Sequence, residues 1–412
     1  MTTRELRRAR IAVFGHFFVL GAATATWSSR LPAIKESLHL SDGRLGLALF
    51  AVPAGSVLTL MMSGRIVDRF GAARVERIAG LLVAAALVAI GLGPQTRNLV
   101  VLVAALAWFG VVAGLLDVAM NTSAARLEVA YGRPIMSSLH AGFSIAGLAG
   151  AGIGGIFAAL AIGPLPTFAS VAAPLTVVVL LASRWVVLPP VTPQPVRPGD
   201  PPGRSLRQIA VVIWVLGLLA LAGQVGEGSA GDWSAVYLHV NLRTSAGLAA
   251  AGLAAFSVTM AAGRVVGDRL AARFGSVALV RASGLVAGIG LGAGLLIGTP
   301  AAAVAGFALL GAGLAVIFPQ IVTSAARLDP EHAGRNIGRI AAVAYTGLLS
   351  GPVAIGAVAS GVGLRDALLI PAGLALPVAA AAGVLRAHDD HRAAAPATPR
   401  RPEEAAARRP GQ

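Results

Sequence analysis

Apolar runs of about twenty residues recur along this chain, and the segments between them carry most of its charge. About twenty apolar residues suffice for a helix to cross roughly 30 Å of hydrocarbon. The pattern predicts twelve such helices, near 11–31, 45–64, 78–94, 99–122, 136–160, 166–187, 208–231, 245–264, 277–298, 301–324, 338–360 and 366–385. The fold class that follows is an all-α integral membrane protein.

The pattern also repeats. Thr122-Ser-Ala-Ala-Arg-Leu127 returns 201 residues later as Thr323 to Leu328. Gly64-x-x-x-Asp68-Arg69 returns as Gly263-x-x-x-Gly267-Asp268-Arg269, and Gly46-Leu-Ala-Leu-Phe50 as Gly252-Leu-Ala-Ala-Phe256. A near-constant offset over most of the chain means two homologous halves, here six helices each. Internal two-fold repeats of membrane helices mark secondary transporters, whose substrate site lies between the repeats. The expected organisation is an N-terminal six-helix bundle over 1–188, a Pro-rich cytoplasmic linker over 189–207, a C-terminal six-helix bundle over 208–386 and a disordered cytoplasmic tail over 387–412. Seven prolines between Pro189 and Ser205 exclude helix and favour an extended spacer that lets the bundles move. The tail has too few large apolar residues to order itself.

Composition agrees. The chain is 56% hydrophobic and 12% charged, against roughly 25% charged in soluble domains. Its formal charge of +15 is placed by topology: with both termini in the cytoplasm, only Arg30, Lys35, Arg44, Arg97, Arg243 and Arg365 fall outside. The other 27 of 33 basic residues lie inside, as the positive-inside rule asks, so the charge does not imply nucleic acid. Arg4, Arg7, Arg8 and Arg10 precede a long apolar run without a cleavage site, which reads as a retained first helix. Cysteine is absent, which removes disulfides and thiolate metal sites. No phosphate-cradling Gly-x-x-x-x-Gly-Lys loop is present, so ATP is not the energy source, and neither metal motifs nor nucleophile elbows suggest an enzyme. No cofactor or metal is expected. Of the 51 glycines, many cluster inside spans, where small residues let helix backbones approach closely.

The stretch Gly64-Arg65-Ile66-Val67-Asp68-Arg69-Phe70-Gly71-Ala72-Ala73-Arg74 resembles the signature loop between helices 2 and 3 of the major facilitator superfamily. The physical logic is legible alone: Gly64 permits close helix packing, Gly71 a tight turn, and Asp68 and Arg69 can pair with neighbours when the inner side is closed. Gly263, Asp268 and Arg269 supply the second copy. The resemblance covers about residues 8 to 386 and implies twelve helices in two pseudo-symmetric bundles. Gly347-x-x-x-Gly351-Pro352 is similar to a glycine-proline motif of the superfamily's exporters, but it sits in helix 11; helix 5 has alanine where those exporters have proline. The helix 4 arginine of drug/proton antiporters is also missing. More narrowly, Trp27-x-x-Arg30-Leu31-Pro32, Asp117-Val-Ala-Met-Asn121 and Gly231-Asp232-Trp233-Ser234-Ala235-Val236-Tyr237 are similar to YbjJ-type inner-membrane proteins, relatives of the fucose permease group. That group's known activity is proton-coupled sugar uptake.

Asp117 is the sharpest single residue. It precedes Arg126 by nine positions, so it lies roughly 14 Å from the inner interface at about 1.5 Å per residue. An ionised carboxylate there costs at least about 2.5 kcal/mol unless it meets water or a partner. It is read as the proton-coupling site, against a static carboxylate bonded to Asn121. Arg30, Glu227 and Asp232 fall near the outer mouth and are read as an outer gate; Arg30 as anchor for an anionic substrate, or plain interfacial charge, also fits. Trp27, Asn121, Gln224, Glu227 and Trp233 are substrate-binding candidates, although Trp27, Trp233 and Tyr237 also suit an interfacial aromatic belt, and Asn121 and Gln224 helix–helix glue. His140, at the inner start of helix 5, and His16, in helix 1, are weaker candidates. The inner gate motif comprises Gly64, Asp68, Arg69, Gly71, Arg74, Gly263, Asp268 and Arg269.

The expectation is a multi-pass permease of the bacterial inner membrane, acting as a monomer in the lipid bilayer with a small-molecule substrate and protons as partners. Alternating access would move a sugar-like or other small polar solute, and efflux of drugs or secreted metabolites by proton antiport is the alternative.

Overall fold

The computed structural model describes residues 1–186 and 205–388. Among them, twelve helices are long and apolar enough to cross a membrane. In the first half they are α1 (Thr3–Ser28), α2 (Arg44–Phe70), α3 (Ala72–Thr96), α4 (Leu99–Tyr131), α5 (Met136–Ala159) and α6 (Pro164–Ser183). In the second they are α7 (Arg207–Asn241), α8 (Gly247–Phe274), α9 (Ser276–Ile297), α10 (Pro300–Leu328), α11 (Pro330–Val362) and α12 (Leu364–Arg386). Most of the linker expected over 189–207, and of the tail expected over 387–412, lies outside the described residues.

The halves are two bundles with the same packing plan. α1 lies along α5 and α6 as α7 lies along α11 and α12; α2 and α3 pack on α4 as α8 and α9 pack on α10. Local signals repeat in step. Thr2 and Glu5 form a capping box at the start of α1, and Ser205 and Gln208 form one at the start of α7. α2 ends at Gly71 with φ 83°, α8 at Gly275 with φ 78°, a backbone region that strains any residue bearing a Cβ. Between the bundles, α2 meets α11 and α5 meets α8, again a symmetric pair.

Burial is inverted relative to a water-soluble protein. Leu58, Met61 and Val100 are exposed, while His16, Glu76, Asp117, Asn121 and His140 are buried. Outward apolar side chains meet hydrocarbon, and the helices satisfy their own backbone groups.

The helices run past their apolar windows. α4 continues to Tyr131 and α8 to Phe274, because intrahelical bonds carry the backbone through the interfacial zone. Residues that the windows place at a membrane edge are therefore inside helices, a turn or more from the end. α10 has one break: helix stops at Leu314 and resumes at Ile317. Pro319 explains it, since it lacks the N–H that would bond the Ala315 carbonyl and its ring crowds that group. With an even number of spans, both ends of the described chain lie on one face, here termed the terminal face; the opposite is the far face.

Candidate functional site

On the terminal face each bundle caps a helix of the other. Asp68, at the end of α2, accepts hydrogen bonds from the backbone N–H groups of Gly334 (3.1 Å) and Arg335 (3.2 Å), near the start of α11. Asp268, near the end of α8, accepts from Ser137 (2.8 Å) and Ser138 (3.0 Å), in the first turn of α5. Helix N-termini offer unpaired N–H groups and a partial positive charge, which a carboxylate satisfies. Gly64 makes the approach possible, since a Cβ there would sit 2.6 Å from the Gly334 carbonyl oxygen. Glu128 Oε2 accepts from Ile135 and Met136 N–H, both at 2.9 Å, while its Oε1 faces Arg327 Nη2 of the other bundle at 3.4 Å. Arg69, Arg74 and Arg269 are exposed on this face, Arg69 lying over the ring of Phe70 at 5.5 Å. Gly71 forms the α2 turn, and Gly263 packs on Ala315 at the α10 break.

Behind this closed face lies a polar cluster that bridges the bundles. Asn121 Nδ2 donates to Asp117 Oδ1 at 3.2 Å and to the Asp117 carbonyl at 2.9 Å. Asn121 Oδ1 is 3.1 Å from His140 Nε2, so that nitrogen carries the proton of the bond. Asp117 is 6% exposed and its Oδ2 has no hydrogen-bond partner. The His140 ring lies between Phe17 of α1 and Phe318 of α10, at centroid distances of 4.8 and 5.8 Å. One turn along α5, Ser144 Oγ accepts from Arg264 Nη1 of α8 at 2.7 Å, and Arg264 Nη2 faces Glu227 of α7 at 3.8 Å. Ala220, Gly223, Gln224, Glu227, Arg264, Leu314, Ile317 and Phe318 enclose a cavity here. Seven helices thus converge, with Tyr345 of α11 in electrostatic reach of both Asp117 and Glu227. Among the described residues no cluster of three metal-ligating side chains forms.

The structure does not bring Arg30 to Glu227 or Asp232. Arg30 is 4% exposed and donates to the carbonyls of Gly154 (3.3 Å) and Ile162, tying α1 to the end of α5 within its own bundle. A cation at a helix C-terminus offsets the partial negative charge there. Glu227 instead faces Arg264, and Asp232 is exposed. Trp27 is buried against Phe109 with centroids 5.9 Å apart, and Trp233 packs on Gly356 of α11, so both tryptophans belong to the walls of their own bundles. Tyr237 is buried as well.

The model of the Major Facilitator Superfamily matches residues 12–285 and 233–410. The chain belongs to that superfamily. It is therefore a membrane transporter, not an enzyme. It is 34% identical to the uncharacterised transporter y4wD of Sinorhizobium fredii, over 90% of this chain and 96% of that one. Membrane protein MosC of Rhizobium meliloti is 31% identical, over 93% and 91%. Among solved structures, FucP in its outward conformation superposes with a TM-score of 0.69 at 17% identity, covering 92% of this chain and 97% of that one. The human organic anion transporter MFSD10 gives 0.73 at 17%, covering 93% and 100%. At these identities the likeness shows the fold, and a fold does not name its cargo.

Sequence reasoning missed four groups. Arg264 and Ser144 stand inside the membrane, but Arg264 falls on the last residue of an apolar window and reads there as an edge charge. Glu76 precedes its window by two residues, yet it is fully buried, with Oε2 3.2 Å from Nδ1 of the equally buried His16. Glu128 closes the repeat that Asp329 closes in the second half, Thr-Ser-Ala-Ala-Arg-Leu-Glu against Thr-Ser-Ala-Ala-Arg-Leu-Asp. That acidic seventh position was a usable signal.

Proposed function

We propose that this chain is a proton-coupled secondary transporter that moves a small polar solute across a bacterial inner membrane by alternating access. Both termini lie in the cytoplasm in this reading, so the terminal face is the inner face. The structure is then an outward-facing state, locked by the reciprocal caps at Asp68 and Asp268. Those caps are the observation that carries the reading. They are made only between bundles, they are related by the internal repeat, and they require the inner face to be shut. Rocking the bundles apart gives the four N–H groups to water and opens the cluster at Asp117, Asn121, His140, Arg264 and Glu227 to the cytoplasm.

Proton coupling rests on Asp117. A carboxylate placed mid-membrane with one oxygen unpartnered is costly when ionised, and a proton removes that cost. Asn121 and His140 continue from it toward Arg264, so a change of charge at Asp117 is felt where the two bundles touch. A monomer is sufficient, since every group named belongs to one chain.

The test is transport in proteoliposomes under an imposed pH gradient, with a solute selected by thermal shift. Asp117→Asn is expected to abolish accumulation against a gradient while sparing exchange of labelled for unlabelled solute. Intact accumulation in that variant refutes the coupling role. A solute that moves only outward against its gradient replaces uptake with efflux.

A further inference from the structure

Arg264 is a buried cation with most of its bonding capacity unused. A guanidinium has five N–H donors. Arg264 makes one hydrogen bond, from Nη1 to Ser144 Oγ at 2.7 Å. Its Nε is buried without a partner. Glu227 reaches Nη2 only at 3.8 Å, beyond hydrogen-bond distance. The side chains differ in exposure, 9% for Arg264 and 32% for Glu227. Arg30, equally buried, spends two donors on carbonyls at a helix end. Nothing comparable satisfies Arg264, although it lines the cavity formed by α7, α8 and α10.

The geometry of the unused donors selects the ligand. Nη1 is taken by Ser144, which leaves the Nε–Nη2 edge as a two-donor fork. That edge matches the two oxygens of one carboxylate in a bidentate pair. Glu227 has the right charge but stands off, its side chain partly exposed. Gln224 adds one amide to the lining, and the rest is apolar or small: Ala220, Gly223, Leu314, Ile317 and Phe318. With Glu227 in place the cavity is about 10 Å³, enough for about one water. A ligand therefore needs the space that Glu227 occupies.

We propose that Arg264 is the cargo anchor, and that the cargo is a small organic carboxylate with an apolar body. Its carboxylate seats on the Nε–Nη2 edge and displaces Glu227 into water, while its body rests on Ile317 and Phe318. This rests on the transport reading above and names the substrate class at its site. Ser144 is a positioning residue: it holds the guanidinium from the opposite bundle, so the anchor is fully aligned only while α5 and α8 are together.

The experiment is thermal shift and calorimetry on the purified full-length chain. The probes are C3 to C8 monocarboxylates, their methyl esters and a set of neutral sugars. At least one carboxylate should bind while its ester does not. Arg264→Gln should weaken that binding at least tenfold, and Arg264→Lys, which keeps charge without the fork, by less. Glu227→Gln should tighten it several-fold, because the competing carboxylate is gone. Ser144→Ala should weaken it several-fold, and it covers the case in which the Arg264 variants fail to fold. Opposite signs at Arg264 and Glu227 are the signature of an anchor, since a purely structural ion pair predicts that both variants weaken binding alike. That equal weakening overturns the proposal, and so does the absence of any carboxylate binding to the unsubstituted chain. Proton-driven transport of a neutral sugar, indifferent to Ser144→Ala, overturns the cargo class and leaves the transport reading standing.

Discussion

Removing the carboxylate of Asp68 should open the terminal face, by an amount the structure lets one work out. Asp68 takes two backbone hydrogen bonds from α11 that exist only when α2 and α11 are together. Replacing a helix-capping aspartate by alanine costs about 0.5–2 kcal/mol, and losing the charge beside the helix dipole costs about 0.3–1 kcal/mol more. The two sum to about 0.8–3 kcal/mol; Asp68 is exposed, so water screens part of this and about 0.5–2 kcal/mol is the range to expect. All of it falls on the closed state, since the open state does not make these bonds. Asp68→Ala should therefore shift the closed-to-open equilibrium about 2- to 30-fold. Asp68→Asn keeps a capping oxygen and loses the charge, so its shift should be about 2- to 5-fold. The chain has no cysteine, which makes the assay clean. A single cysteine at Gly223 lines the cavity, where a Cβ meets only Ile317, at 3.9 Å. A membrane-impermeant thiol reagent applied from the terminal side should label it slowly in the parent chain. The rate should rise in the order Asp, Asn, Ala at position 68, and Asp268→Ala should act in the same direction. Equal terminal-side rates across the series would refute the capping argument.

Other consequences follow from the same geometry. Gly64→Ala places a methyl against the Gly334 carbonyl and Arg335 backbone, so it should expose the Gly223 cysteine from the terminal side and impair transport. Gly147→Ala, where a Cβ meets nothing within 4 Å, should leave both readouts unchanged. Glu76→Ala leaves His16 only the Ala12 carbonyl, 3.1 Å from its Nδ1, so it should lower the unfolding temperature through a loss of about 1–3 kcal/mol of stability; a combined His16→Leu, Glu76→Met variant should recover most of it. Arg30→Gln loses the tie between α1 and the end of α5, so it should lower thermal stability, and reversing Glu227 should not rescue it. Rescue by an Arg30→Glu, Glu227→Arg exchange would instead restore the outer-gate reading.

The fold was legible in the sequence because hydrocarbon imposes a simple rule. A helix must cross about 30 Å with apolar side chains outward, so length and polarity alone mark the spans. The repeat at Thr122 and Thr323 then supplied the two-fold plan, and Asp68 and Asp268 stand where their motif places them. The central site was only half legible. Asp117 and Asn121 stand out against an apolar run, and the structure joins them to His140, which reads in the sequence as a residue near a helix end. Arg264 was hidden because a span's edge in hydropathy is not its edge in space: α8 continues ten residues beyond it. The contacts of Arg30 were hidden for another reason: a latch across the outer mouth would be apart in an outward-facing state, and in this state Arg30 bonds within its own bundle. A charge near the outer mouth suggests a partner across the interface, but the exposed carbonyls at the end of α5 are nearer, and carbonyls leave no mark in a sequence. Which helix faces which is set by packing of small residues across bundles, and a single position such as Gly64 acquires that meaning only once the contact is seen.

The most direct test of alternating access needs no substrate. Spin labels on cysteines at Arg77 and Arg281, exposed near the terminal starts of α3 and α9, report one end of the molecule. Labels at Glu36 and Asn241, exposed on the far side, report the other. Pulsed electron-spin distances are then compared between the parent chain and the Asp68→Ala, Asp268→Ala double variant. Alternating access predicts that the terminal-face distance lengthens while the far-face distance shortens. Unchanged distances, or both lengthening together, would contradict it.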